Sequence, residues 1–80
     1  MNIYVGNLNF TIEENELETL FDQYGKVDSV KIIRDQDSGR SKGFAFVDMP
    51  EHEEAILAIK ELNLIEIKGR NIKVNKGNKN

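Results

Sequence analysis

Lys42-Gly43-Phe44-Ala45-Phe46-Val47-Asp48-Met49 is a β-prone run in which two kinds of residue alternate. Side chains on a strand point to opposite faces with a period of two. Ala45, Val47 and Met49 therefore share one face, while Phe44, Phe46 and Asp48 share the other. The first set alone suffices for a core. The second leaves two bulky rings with no core to enter.

Outward from this run, Val27 to Arg34 alternates as another strand, with Val30 and Ile32 on one face. Asp35 to Ser41, which holds Asp37-Ser38-Gly39, reads as the polar turn between the two. On the other side, Pro50 is expected to open a helix, where its missing N–H does no harm. Ala55, Ile56, Ile59 and Leu62 give that helix an apolar stripe.

Nearer the N-terminus, Asn2 to Asn7 reads as a strand with Ile3 and Val5 inward and Tyr4 outward. Leu17, Leu20, Phe21 and Tyr24 follow at i, i+3, i+4 and i+7, one face of a helix. Thr11 and Glu14 have capping-box spacing, and a start at Glu13 fits equally well. Gly25 is expected to stop the helix by entering the left-handed region. At the other end, Lys68-Gly69-Arg70 turns the chain into a last strand, Asn71 to Asn75, with Ile72 and Val74 inward.

The order is β-α-β-β-α-β, the split or ferredoxin-like α+β arrangement. Two amphipathic helices should cover one face of a four-stranded antiparallel sheet and leave the other open. Tyr4, Phe44 and Phe46 belong to the open face. The reading assigns residues 1–76 to one domain and 77–80 to a short polar tail.

Eighty residues form a single domain able to bury a core without staples. There is no cysteine, so neither a disulfide framework nor a thiolate metal site is available. His52 is the only histidine and has no partner set for a metal. No run is long and apolar enough for a membrane span, so a cytoplasmic, non-membrane protein is expected.

Chemistry is equally poorly served. Glu13, Glu14, Glu16 and Glu18 have helical spacing but no partner histidine, and read as a solvated face rather than as paired catalytic carboxylates. Gly39-Arg40-Ser41-Lys42-Gly43 lacks the Walker spacing. An acylphosphatase-like cradle needs an arginine in the first loop, and Gly6 to Ile12 contain none. The chain reads as non-enzymatic and without a cofactor.

The net charge of −3 is unevenly spread. The two helical segments together carry −8, which leaves +5 on the rest of the chain. An acidic helical side and a basic remainder are compatible with a polyanion on the sheet. Flat apolar rings beside a lysine suit nucleobases and phosphates.

Lys42 to Val47 fit every specified position of the octapeptide [KR]-G-[FY]-[GA]-F-V-x-[FY]. Met49 stands in place of its final aromatic. Ile3-Tyr4-Val5-Gly6-Asn7-Leu8 fits the partner hexapeptide. On these two motifs residues 2–76 resemble the RNA recognition motif family, and the short chain is similar to the small single-motif RNA-binding proteins of bacteria. One departure is Asn63-Leu64, where the family usually has Asn-Gly.

The resemblance implies that the first and third strands lie side by side at the sheet centre. It also implies that Tyr4 and Phe44 each stack under a base, that Phe46 packs against the sugars between them, and that Lys42 meets a phosphate. Asn2, Lys31, Lys73 and Asn75 are outward polar residues able to join them, and Arg40 can reach RNA from the second-to-third strand loop. Asp48, also outward, either opposes phosphates or accepts a hydrogen bond from a base amino group. The expected partner is single-stranded RNA, with single-stranded DNA bound more weakly. The alternative is a protein-docking domain of the same fold, using the sheet or the acidic helices.

Overall fold

Ile3 lies opposite Val47, and Val5 opposite Ala45, so the inward residues of the first strand meet those of the aromatic run. The computed structural model describes residues 1–77. Its elements are β1 (Asn2–Gly6), α1 (Glu14–Asp22), β2 (Ser29–Arg34), β3 (Ser41–Asp48), α2 (His52–Leu62), β4 (Glu66–Ile67), β5 (Arg70–Asn71) and β6 (Lys73–Lys76). The main sheet runs β2-β3-β1-β6, antiparallel at every pairing, and β4 and β5 form a separate two-stranded hairpin. The expected α+β ferredoxin-like arrangement is what forms, with β1 and β3 central.

The core lies between one face of this sheet and the two helices. Ile3, Val5, Ala45, Val47, Ile72 and Val74 are fully buried on the sheet side, and Leu17, Phe21, Ala55 and Ala58 complete it from the helices. Met49, which ends the aromatic run, is fully buried as well. Its departure from the octapeptide therefore concerns packing and not the open face.

Of the two starts open to α1, Glu13 is the cap: its N–H donates to Glu16 Oε1 at 2.8 Å. Thr11 is engaged elsewhere, its N–H and hydroxyl both donating to Asn9 Oδ1. The helix ends at Asp22, before Gly25. Gly25 has a φ of 157° and so does not act as a left-handed stop. Its lack of a side chain serves a close approach instead, because a Cβ there would collide with the Glu54 side chain.

Three further expectations are corrected. Pro50 lies outside α2, whose cap is Glu51 in an extended conformation. The buried stripe of α2 runs through Ala55, Ala58 and Leu62 with Ile59 half-buried, while Ile56 is exposed. The helix is rotated so that small alanines approach the sheet closely, and Ile56 and Leu57 are left outside with His52, Glu53 and Lys60 along a shallow groove. The last strand also begins later than Asn71. That residue belongs to the hairpin, and β6 starts at Lys73.

The hairpin hangs on the segment after α2. Leu64 adopts a φ of 74°, a conformation that strains a residue with a Cβ and explains the glycine usual at this position. Its N–H donates to Ile72 O at 2.7 Å, and Asn71 Nδ2 donates back to Leu64 O at 3.0 Å. Beyond β6, the Gly77 N–H donates to Asn2 O at 2.8 Å, so pairing continues into the segment assigned to the tail. Residues 78–80 of that segment lie outside the described residues.

Candidate nucleic-acid interface

Register aligns the outward residues of the four strands into rows. One row crosses the whole sheet: Asn75 on β6 faces Tyr4 on β1, Tyr4 faces Phe46 on β3, and Phe46 faces Lys31 on β2. Lys73 faces Gly6, and Asn2 and Ser29 both face Asp48. Eight of the ten residues singled out from the sequence thus lie on the outward face along three neighbouring registers, with Phe44 two positions before Phe46 on β3. Lys42 lies at the start of β3 and is exposed. Arg40 is the one placed off the sheet, in the β2–β3 turn.

The three rings form a mutual cluster. Tyr4 is 6.0 Å from both Phe44 and Phe46, centroid to centroid, and the two phenylalanines are 6.2 Å apart. Tyr4 and Phe44 are tilted by only 33°, whereas Phe46 stands edge-on to both, at 64° and 89°. Two mutually tilted rings with a third edge-on beside them offer two flat surfaces and a ridge. Burial of all three is intermediate, so part of each ring is accessible.

Gly6 is what lets Tyr4 lie down on the sheet. A Cβ at Gly6 would overlap the Tyr4 ring, with Cε2 and Cζ only 2.7 Å away. Gly43 has a related part at the rim, with a φ of 85° and the Phe10 ring beside it. Neither glycine is explained by strand propensity: Gly6 is explained by a ring passing close to backbone, and Gly43 by its left-handed φ.

Charge is divided between the two ends of the strands. Asp28 and Asp48 lie at the end where β1 begins, and Asp48 Oδ1 is 3.5 Å from the Met1 ammonium. Lys42, Arg40, Arg70 and Lys73 lie at the other end. Among the described residues none of these four makes a salt bridge. Arg34 and Lys68, by contrast, are engaged by α1: Arg34 Nη2 lies 3.0 Å from Glu14, and Lys68 Nζ 3.0 Å from Glu16. Part of the expected basic remainder is thus neutralised by the acidic helix.

Three carboxyls are held below their usual range. For Glu14 partial burial opposes the shift, but its own backbone N–H and the Arg34 guanidinium outweigh it. Glu16 is lowered by the Glu13 N–H and then by Lys68. Asp35 is lowered by the Ser38 and Asp37 N–H groups, which donate to it at 3.0 and 2.8 Å in the β2–β3 turn. None of the three lies on the ring cluster, so these shifts belong to turn and cap geometry rather than to reactive groups.

Residues 3–73 match the model of the family described as RNA recognition motif. The chain belongs to that family. It is 46% identical over 72 residues to the 29 kDa ribonucleoprotein A, chloroplastic, of Nicotiana sylvestris, an alignment covering 90% of this chain and 26% of that protein. The chain therefore spans about a quarter of that relative's length. Among solved structures, RNA-binding protein PG1 superposes with a TM-score of 0.96 at 45% identity, over 100% of this chain and 96% of that one. The Sxl-lethal protein in a complex with RNA superposes with a TM-score of 0.87 at 40% identity, over 95% of this chain and 47% of that one.

Two residues near this RNA recognition motif face were missed by sequence reading. Phe10 is 66% exposed beside Gly43. Arg70 donates through Nε and Nη2 to Asn7 O and Oδ1 at the end of β1. Phe10 was legible as an aromatic outside any helical or strand period. Arg70 was not: the turn at Lys68-Gly69-Arg70 was legible, but its bonding to Asn7, 63 residues away, was not. No helix among the described residues is long and apolar enough to cross a membrane.

Proposed function

We propose that this chain binds a short single-stranded RNA segment across the open face of its sheet. The observation that carries the reading is the contact cluster of Tyr4, Phe44 and Phe46, with Tyr4 seated over Gly6. Tyr4 and Phe44 each present a flat surface to a base, and Phe46, edge-on, supports the ribose between them. Each stack is worth about 1–3 kcal/mol and tolerates any base. Lys42 meets a phosphate, Lys31 and Lys73 flank the rings on β2 and β6, and Arg40 reaches in from its turn. Asn2, Asp48 and Asn75 offer hydrogen bonds to base edges.

Binding here requires no bond to be made or broken, so the activity is recognition and not catalysis. Single-stranded DNA retains the stacking and is bound more weakly, since a 2′-hydroxyl contact is lost. A cytoplasmic location is part of the proposal, although the Nicotiana relative is named as chloroplastic; cell fractionation of the native protein checks it.

The test is a fluorescence-anisotropy titration of random-sequence RNA and DNA oligomers at two salt concentrations. RNA binding is expected, weakening with salt as condensed counterions are released. Phe44→Ala/Phe46→Ala is expected to lose most of the affinity while keeping a cooperative melt. A double variant that binds as tightly as wild type overturns the reading.

A further inference from the structure

Two large apolar side chains on α2 have no place in the core or in the ring cluster. Ile56 and Leu57 are each 46% exposed, while Ala55, Ala58 and Leu62 make the buried side of the helix. His52, Glu53 and Lys60 border them along the shallow outer groove, and Glu61, also exposed, extends the stripe. The six fall in two adjacent rows at i, i+4 spacing, His52-Ile56-Lys60 and Glu53-Leu57-Glu61, and so share one face.

The polar residues of this face are not used within the chain. Among the described residues His52, Glu53, Lys60 and Glu61 make no salt bridge. Glu53 and Lys60 carry opposite charges but stand two turns apart, about 10 Å along the helix axis. Read in reverse, however, the stripe is complementary to itself. Set two copies of α2 antiparallel about a two-fold axis that passes between Ile56 and Leu57. Ile56 then meets Leu57 of the second copy, Glu53 meets its Lys60, and His52 meets its Glu61, each pair formed twice. One register thus matches apolar with apolar, carboxylate with ammonium, and an imidazole N–H donor with a carboxylate. Sliding the copies by one turn in either direction sets Ile56 and Leu57 against charged or polar side chains instead.

We propose that this face of α2 binds a second copy of the same chain, in a symmetric dimer held by an antiparallel α2–α2 contact. Ile56 and Leu57 lose water at the axis, and the Glu53–Lys60 pairs on either side fix the register. A contact between two helices of 11 residues falls short of the about 1,200–2,000 Å² of a stable interface. The dimer is therefore weak and reversible, with a Kd on the order of 0.1 mM. Because α2 packs on the sheet face opposite Tyr4, Phe44 and Phe46, two copies joined there keep both ring clusters turned outward. The inference does not depend on the RNA reading. Its rival is that Ile56 and Leu57 are apolar residues merely tolerated on a surface.

Sedimentation equilibrium of the full chain at low salt, from about 10 μM to about 1 mM, separates the two. Wild type is expected to pass from monomer toward dimer across that range. Glu53→Lys and Lys60→Glu should each weaken the dimer about tenfold or more, because like charges then meet on both sides of the axis. Leu57→Glu should leave a monomer. The double variant Glu53→Lys/Lys60→Glu restores opposite pairs and should dimerise like wild type. An equimolar mixture of the two single charge variants should also dimerise, since the cations of one copy then face the anions of the other. All these positions are exposed, and a thermal melt of each variant checks that it folds. A wild type that stays monomeric throughout the range overturns the proposal and leaves the groove bare or to a different protein. A dimer that survives Leu57→Glu or either charge reversal overturns it too, because its contact lies elsewhere. So do single variants that remain monomeric when mixed, because their charges are then not paired across an axis.

Discussion

The two faces of β1 and β3 are made from alternate residues of the same strands, yet their apolar side chains have opposite fates. Ile3, Val5, Ala45 and Val47 are sealed under two helices, while Tyr4, Phe44 and Phe46 stand half-open on the other side. Hydrophobicity does not separate the two sets; shape does. The inner face uses branched and small side chains that interdigitate with Leu17, Phe21, Ala55 and Ala58. The outer face uses flat rings that contact one another and nothing above them. An inner residue accordingly contributes to stability and an outer one to binding.

The largest expected effects break that contrast directly. Ile3→Ala empties a fully buried position and should cost about 2–5 kcal/mol of stability in a urea melt. RNA affinity of the fraction still folded should be close to wild type. Tyr4→Ala, one residue along, should reverse the pattern, with about 1–3 kcal/mol lost from binding and a smaller change in the melt. Similar stability losses for the two variants would show that the outer rings are a second core.

A smaller effect sharpens the comparison at Gly6. The methyl of Gly6→Ala would overlap the Tyr4 ring, which can swing away because nothing covers it. Stability should hold or rise by about 0.5–1 kcal/mol, since glycine weakens a strand relative to alanine. RNA affinity should nonetheless fall toward that of Tyr4→Ala. A crystal structure of the variant with Tyr4 in its original place would refute this account of the glycine.

The smallest effect lies outside both faces. No charged or polar side chain among the described residues is buried, so neither face carries a titrating core group. Asp35, Glu14 and Glu16 have lowered pKa values in the folded chain. A depressed carboxyl contributes its stability above the unfolded-state pKa and loses it as pH falls through the folded one. Stability should therefore be flat from pH 7 to about 5 and decline below about 4. Asp35→Asn should remove part of that decline, as followed by circular dichroism across an acid titration.

The strands and helices with strong periodicity were legible because each carries its own burial pattern. Ile3 and Val5 against Tyr4, or Ala45 and Val47 against Phe44 and Phe46, declare two faces without reference to the rest of the chain. The elements that departed from expectation lacked such a pattern. Ile56 has a helical spacing to Ile59 as good as that of Ala55, and only the approach of α2 to the sheet favours the alanine side. Asn71 continues the alternation of Ile72 and Val74, and only its bonding with Leu64 separates it from β6. Gly25 looks like a helix stop until Glu54, far along the chain, is seen to fill the space beside it.

The same division holds for the site. Residue type and a period of two determined by themselves that Tyr4, Phe44 and Phe46 share an open face, because alternation is a local property of the strand. The two-motif resemblance supplied the family. Tertiary structure alone decided that the rings touch, that Gly6 lets Tyr4 lie flat, and that α1 pairs with Arg34 and Lys68 while Lys42 and Arg70 make no salt bridge among the described residues. It also put Phe10 beside Gly43. These are contacts between residues distant in sequence, and their geometry is set by register and helix docking, which no local pattern encodes.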